Sequence, residues 1–181
     1  MLTIRYAAIY GLLAGAVIAG IISALLAVYG DDGPFASLWF GYLVQLVGLS
    51  FVFVGVKRYR DIERGGVIGF WRALGVGLAI VLAAALAYAL VWEIYLWLTN
   101  YAFADQYLAA TQRKLEAAHT PPAEIAEQMA KMRAMFANYA NPLFRIPATM
   151  MEMFVPVPVG LIVPLLSAAL LRNPRFLSAQ P

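Results

Sequence analysis

Two acidic side chains, Glu93 and Glu152, each stand inside a strongly apolar stretch. Glu93 belongs to Tyr88-Ala-Leu-Val-Trp92-Glu93-Ile-Tyr95-Leu-Trp97, the end of an apolar run that begins near Phe70. Glu152 belongs to a later run that opens near Arg145. A charge at membrane depth is costly unless neutralised or partnered, so intramembrane acids are functional-site candidates by default. If the first run leaves the membrane near Asn100 and the second enters near Arg145, each acid lies seven residues inside one boundary. That depth is roughly 10 Å for a helix. Gln45 lies about as far inside the start of its own apolar run, and Ser23 about as far before the end of the first one. Four spans thus each offer one polar group at one height, with Arg145 two turns above Glu152 on the same face.

Two carboxylates in low dielectric do not both stay ionised unpaired. One is protonated, a cation sits between them, or Arg145 reaches down to them. The expectation is that Glu93 and Glu152 point inward, near each other and near Gln45. Plain interhelical hydrogen bonding, worth about 0.6 kcal/mol per contact, accounts for the same residues without a ligand.

The composition fixes the class of protein that must hold this layer. Of 181 residues, 63% are hydrophobic and 13% charged, with a mean hydropathy of +0.76. A soluble domain is about half apolar and about a quarter charged. The chain therefore reads as an all-α polytopic membrane protein, one membrane domain over 1–181, embedded in a lipid bilayer. The net charge of +3 is modest and its basic residues stand in short loops, which leaves no nucleic-acid partner to expect. With no cysteine, disulfides and thiolate chemistry are excluded. His119 is the only histidine, and catalytic zinc takes three protein ligands, so neither a metal nor a cofactor is expected.

Four transmembrane helices are expected, at about 7–29, 38–56, 70–99 and 145–171, with an extramembrane helical hairpin at 100–144 between spans three and four. Gly11-x-x-x-Gly15 and Ala16-x-x-x-Gly20 give span one small faces for close packing, and Gly41, Gly48 and Gly55 recur every seven residues along span two. The first run is too long for the apolar region of a signal peptide. Tyr29-Gly-Asp-Asp-Gly-Pro34 reads as a tight turn. Lys57, Arg58, Arg60 and Arg64 make a basic loop, and with Arg5, Arg72, Arg172 and Arg175 they place the loop and both termini in the cytoplasm. The same loop could also hold an anionic lipid or a partner. In the hairpin, Leu108, Thr111, Leu115 and Ala118 form one stripe, and Ile125, Met129, Met132, Phe136 and Tyr139 form another beyond the Thr120-Pro-Pro122 break. The stripes either cover each other or offer a Met-rich contact surface. No Gly or Pro lies between Gly77 and Pro121, so span three is expected to run into the hairpin with little interruption. Pro156, Pro158 and Pro164 would free the carbonyls of Glu152, Phe154 and Gly160, either as simple kinks or as a broken helix lining a site.

Several of these residues fall into one pattern: Gly55-Val-Lys-Arg-Tyr59-Arg60-Asp61, Gly65-Gly66, Phe70, Ala73 and Gly77, then Tyr88-x-x-x-Trp92-Glu93-x-Tyr95. Tyr139-x-Asn141-Pro142, Thr149-x-x-Glu152, Pro158-x-Gly160-Leu-Ile and Ser167-Ala168 continue it. Together, over about residues 40 to 172, they resemble a family of small four-span bacterial inner-membrane proteins known as a domain of unknown function. The resemblance implies four spans and a bacterial inner membrane and brings no activity with it.

Three functions are compatible with these residues. One is a non-catalytic protein that self-associates or binds an envelope partner through the outer hairpin and the small-residue seams. Another is a small oligomeric proton- or cation-coupled transporter that uses the buried carboxylates. The third is a membrane-embedded enzyme acting on lipid or peptide. That enzyme would have to rely on two carboxylates as acid and base, since neither a nucleophile elbow nor a phosphate loop is present.

Overall fold

The computed structural model describes residues 2–29, 38–155 and 158–178, and they form helices and turns with no strand among them. The acidic turn at 30–34 and Pro156 lie outside the described residues. Helix α1 runs Leu2–Tyr29, α2 Leu38–Arg58 and α3 Phe70–Leu98. The shorter α4 (Phe103–Ala117) and α5 (Pro122–Phe136) follow, then α6 (Pro142–Met151) and α7 (Val159–Leu171). Three helices, Thr3–Tyr29, Trp39–Glu63 and Phe70–Leu98, have the length and apolar composition of membrane spans; α7 is apolar but shorter.

Small residues set how closely α1, α2 and α3 approach. A Cβ on Gly15 would lie 2.5 Å from the Ala84 carbonyl oxygen and 2.7 Å from Ala87 Cβ, and one on Gly11 would lie 2.8 Å from the Ile80 oxygen. The Gly11-x-x-x-Gly15 face is therefore a backbone-to-backbone seam with α3, the use for which paired small residues suit helices without a hydrophobic driving force between them. Contacts rise together along both chains, so α1 and α3 are parallel. Helix α2 runs antiparallel to α1, with Gly48 under Ile18 and Gly55 against the Tyr10 ring. Helix α7 returns antiparallel to α3: Pro164 sits on Gly77, and Gly160 reaches Val81. Ala14, Leu49, Val52, Val56, Ile80, Val81, Ala84 and Ala85 fill the space between, each almost wholly buried. Leu43, Leu46, Val54, Leu82, Leu86 and Leu90 point outward. Gly20, Gly41 and Gly69 meet nothing, so the heptad of glycines on α2 is a seam only at its second and third members.

The structure departs from the expected boundaries at three places. The basic loop starting at Lys57 is still helical, because α2 continues through a π-helical turn, Tyr59–Glu63, that turns Tyr59 and Arg60 into the bundle. Span three is interrupted after Leu98 without Gly or Pro. Asn100 and Tyr101 both take left-handed backbone (φ 52° and 58°), Tyr101 N–H closes onto the Leu96 carbonyl at 2.7 Å, and Thr99 Oγ1 bonds the Tyr95 and Leu96 carbonyls. Asn tolerates that conformation, whereas Tyr does so only when its surroundings hold it. The stretch expected at 145–171 is divided. It forms α6, turns over residues 152–155 and then α7, which begins after Pro158, while Pro147 and Pro164 are accommodated inside the two helices.

The hairpin forms as two helices broken at Ala118–Pro121, with Pro122 opening α5. Met129 is buried and Ile125, Met132 and Phe136 are half-buried, so the two stripes cover each other and Met135 is left exposed. His119 is exposed at the break with a left-handed backbone.

These contacts separate glycines that look alike in the sequence. Gly15→Ala is expected to destabilise the fold by about 1–3 kcal/mol through overpacking. Gly41→Ala, in open space within a helix, is expected to be neutral or stabilising by about 0.5–1 kcal/mol. Denaturant titration followed by helical circular dichroism measures both, and equal effects at the two positions would contradict the seam.

Candidate functional site

Arg145 enters the bundle from the first turn of α6. That turn is started by Asn141, whose Oδ1 accepts from Leu143 N–H at 3.0 Å, and by Pro142 in the first helical position, where no amide is needed. The side chain is 1% exposed. Its Nε donates to Glu93 Oε1 at 2.6 Å and its Nη2 to Glu93 Oε2 at 2.5 Å, a two-point ion pair between α6 and α3. Its Nη1 donates to the Tyr139 carbonyl. The guanidinium also lies 5.2 Å from the centre of the Tyr101 ring and 5.5 Å from that of Tyr139. Cation–π contact of this kind favours a partly desolvated arginine, and it holds Tyr101 in its strained backbone. Trp92, the neighbour of Glu93, donates Nε1–H to Tyr139 Oη at 2.8 Å. Burial pushes the Tyr139 phenol above its ordinary pKa, so it stays neutral beside the ion pair.

Glu152 has other partners. It ends α6, where the helix breaks, and its Oε2 accepts from Tyr88 Oη–H at 3.3 Å. Its backbone carbonyl, one of those the prolines were expected to free, accepts from Gln45 Nε2 at 3.3 Å. No cation pairs with Glu152 among the described residues. The residue as a whole is exposed, while Glu93, Gln45 and Ser23 are half-buried and Arg145 is fully buried. The two carboxylates take different donors: Glu93 pairs with Arg145, and Glu152 accepts from Tyr88. The expected nearness to Gln45 holds for Glu152 through its backbone carbonyl.

Gln45 and Ser23 supply a second feature. Gln45 Oε1 and Ser23 Oγ are buried without a hydrogen-bond partner among the described residues. The antiparallel register of α1 and α2 brings Gln45 to the part of α1 that carries Ser23. Ser167, on α7, is better satisfied: it is buried and donates Oγ–H to the Val163 carbonyl at 2.7 Å, a back-bond within the helix. No group of three metal-ligating side chains occurs among the described residues.

The basic loop is divided by the structure. Lys57 pairs with Asp61 at 2.7 Å, and Arg60 is fully buried. Arg60 donates Nε–H to Asp61 at 2.7 Å, Nη1–H to the Phe176 carbonyl at 2.9 Å and Nη2–H to the Leu177 carbonyl at 2.6 Å. It is a clamp on the segment after α7, and Phe176 packs edge-on against Phe53. Arg58 and Arg64 remain exposed.

Tyr88, Tyr101 and Tyr139 surround these charges, although Tyr139 reads in the sequence as hairpin stripe. The signal for Tyr88 was present: Tyr88 and Trp92 are four apart on a helix and share one face. Tyr101 had none, because its place depends on a left-handed turn.

The chain belongs to the DUF4199 family, proteins of unknown function, whose family model matches residues 5–173. No curated protein and no solved structure matches it.

The ion pair makes a quantitative expectation. Arg145→Gln leaves Glu93 unpaired and is expected to cost about 3–5 kcal/mol, whereas the double change Arg145→Met with Glu93→Gln costs markedly less. A double-mutant cycle on denaturant stability reads the difference, and strictly additive losses would show that the pair is not coupled.

Proposed function

We propose that this member of the DUF4199 family is a non-catalytic bacterial inner-membrane protein of four spans that self-associates or binds an envelope partner. The observation that carries the reading is the Arg145–Glu93 pair. The guanidinium and the carboxylate neutralise each other at two points, and the Tyr139 carbonyl and two aromatic rings complete the arginine's shell. Charges engaged in this way fix two helices against each other, and neither is held free for a proton or a substrate.

The fourth span in this reading is α6 with α7. Their 10 and 13 residues supply roughly 35 Å of helical rise, enough for a hydrocarbon core of about 30 Å. The freed backbone at their junction is supported from within by Gln45. Alternating helix directions then bring Arg5, the Lys57–Arg64 segment, Arg72, Arg172 and Arg175 to one end, the cytoplasmic one by the positive-inside rule. The α4–α5 hairpin lies on the other side. Its exposed Met135 and Tyr107, with Leu143 and Phe144 at the start of α6, form the surface for a second copy or a partner.

A transporter remains the second reading, on one observation: among the described residues Glu152 has no cationic partner, and it sits at a helix end beside Tyr88 and Gln45.

Two experiments test these readings. A phosphatase reporter fused after Pro181 is expected to be inactive while a fluorescent one is bright, and a periplasmically active fusion would overturn the topology. Glu93→Gln with Glu152→Gln is expected to impair assembly, read by cross-linking in membranes, with no change in proton- or cation-coupled uptake in proteoliposomes. Uptake by the native protein that disappears in the variant establishes the transporter instead.

A further inference from the structure

The end of the bundle where α1 begins and α2 finishes holds an open cavity of about 170 Å3. Arg5 and Arg58 line it, both exposed and neither in a hydrogen bond or ion pair among the described residues. Of the other basic residues of this segment, Lys57 is engaged by Asp61 and Arg60 by Asp61 and the chain after α7, while Arg64 does not line the cavity. The floor is aromatic and rigid. Tyr6 is 8% exposed, stacks on Tyr10 and meets Tyr59 edge-on. Its hydroxyl donates to Glu63 Oε1 at 3.1 Å, so the one carboxylate lining the cavity is already held by a donor. The rim is apolar, with Ile9 and Ile62 exposed. From Ile9 an exposed apolar surface continues along α1 through Leu12 and Leu13, toward the middle of the helix.

We propose that this cavity is a binding site for the phosphate of a membrane phospholipid, with the headgroup between Arg5 and Arg58 and the acyl chains along Ile9, Leu12 and Leu13. Two guanidiniums against one engaged carboxylate leave a net positive site, and arginine suits phosphate because its planar fork donates at two points. A soluble phosphate would need only the polar half of the site. The exposed isoleucines at its rim, continuous with an apolar helix face, fit a ligand with an acyl tail. The basic segment as a whole was a candidate for this role from the sequence; the structure narrows it to Arg58 and adds Arg5 from the start of α1, at the same end of the bundle. The inference rests on the membrane placement proposed above. A chain that fails to partition into membranes defeats that placement, whereas one that partitions without headgroup dependence defeats only the lipid site.

The test is retention of added lipid by the full chain in detergent, read by native mass spectrometry. The probes are phosphatidylglycerol, diacylglycerol of the same chain length, and inorganic phosphate. The native protein is expected to retain phosphatidylglycerol over diacylglycerol, and Arg5→Gln with Arg58→Gln to lose that preference by roughly 30-fold, the scale for two basic residues facing an anionic lipid. Arg64→Gln, an exposed arginine outside the cavity, is expected to behave as the native protein, and Arg5→Lys with Arg58→Lys to retain most of the preference. Helical circular dichroism checks that each variant is folded, and a misfolded glutamine variant leaves Ile9→Ser with Ile62→Ser, expected to weaken retention of phosphatidylglycerol, to decide. Equal retention by native and glutamine proteins would overturn the site, as would binding of inorganic phosphate without retention of phosphatidylglycerol.

Discussion

A guanidinium that cannot reach water has to find its hydrogen-bond acceptors and its countercharge in the protein. Arg145 meets that constraint with both oxygens of Glu93, the Tyr139 carbonyl and the faces of two tyrosines, and much of the surrounding structure is arranged to let it do so. Asn141 and Pro142 start α6 at the point that aims the arginine inward. The left-handed pair Asn100 and Tyr101 ends α3 so that the Tyr101 ring lies beside the charge. Trp92, the residue next to Glu93, anchors Tyr139. Burying an ion pair is not in itself a large gain, because desolvation offsets most of the attraction, but breaking one is costly. The pair therefore acts chiefly on specificity, holding α6 against α3 in one arrangement.

The rest of the bundle follows a different rule. Between apolar helices, close approach depends on side chains small enough to let backbones meet. Gly11 and Gly15 serve α3, Gly48 and Gly55 serve α1 and its neighbours, and Gly77 receives Pro164. Pro164 is thus both a helix irregularity and a packing element, almost wholly enclosed where glycine makes room for its ring. The polar atoms near these seams are less uniformly satisfied. Ser23 Oγ and Gln45 Oε1 lack partners among the described residues, although Gln45 Nε2 supports the end of α6 through the Glu152 carbonyl.

Arg60 repeats at the other end of the bundle what Arg145 does at its own. It is fully buried, pairs with the adjacent Asp61, and ties carbonyls of the segment after α7 to the π-helical end of α2. The wider π turn rotates Tyr59 and Arg60 inward, a use of such turns that recurs where a helix must present a particular side chain. One arginine at each end thus fastens the connection that would otherwise be the least constrained.

Composition and periodicity by themselves determined the class of protein, its three long apolar helices and the two-helix hairpin, because burial of apolar surface acts locally; the stretch expected as one span at 145–171, whose prolines read as kinks or as a break, was divided only by the structure. They also marked Glu93, Glu152, Gln45 and Arg145 as groups that need partners in an apolar setting. Which partner each takes was decided by the tertiary structure. Glu152 takes Tyr88, while Arg145 closes on Glu93 across 52 residues of chain. Lys57, Arg58, Arg60 and Arg64 look equivalent in the sequence, yet one is paired, one is buried and two are exposed. The difference arises because a π turn rotates the helix face by an amount that hydrophobic periodicity does not encode. Likewise Gly41 and Gly48 share one heptad position, yet Gly41 meets open space while Gly48 lies against the Ile18 side chain. Residue type fixes what a group must satisfy, and the contacts that satisfy it exist only once distant segments have been brought together.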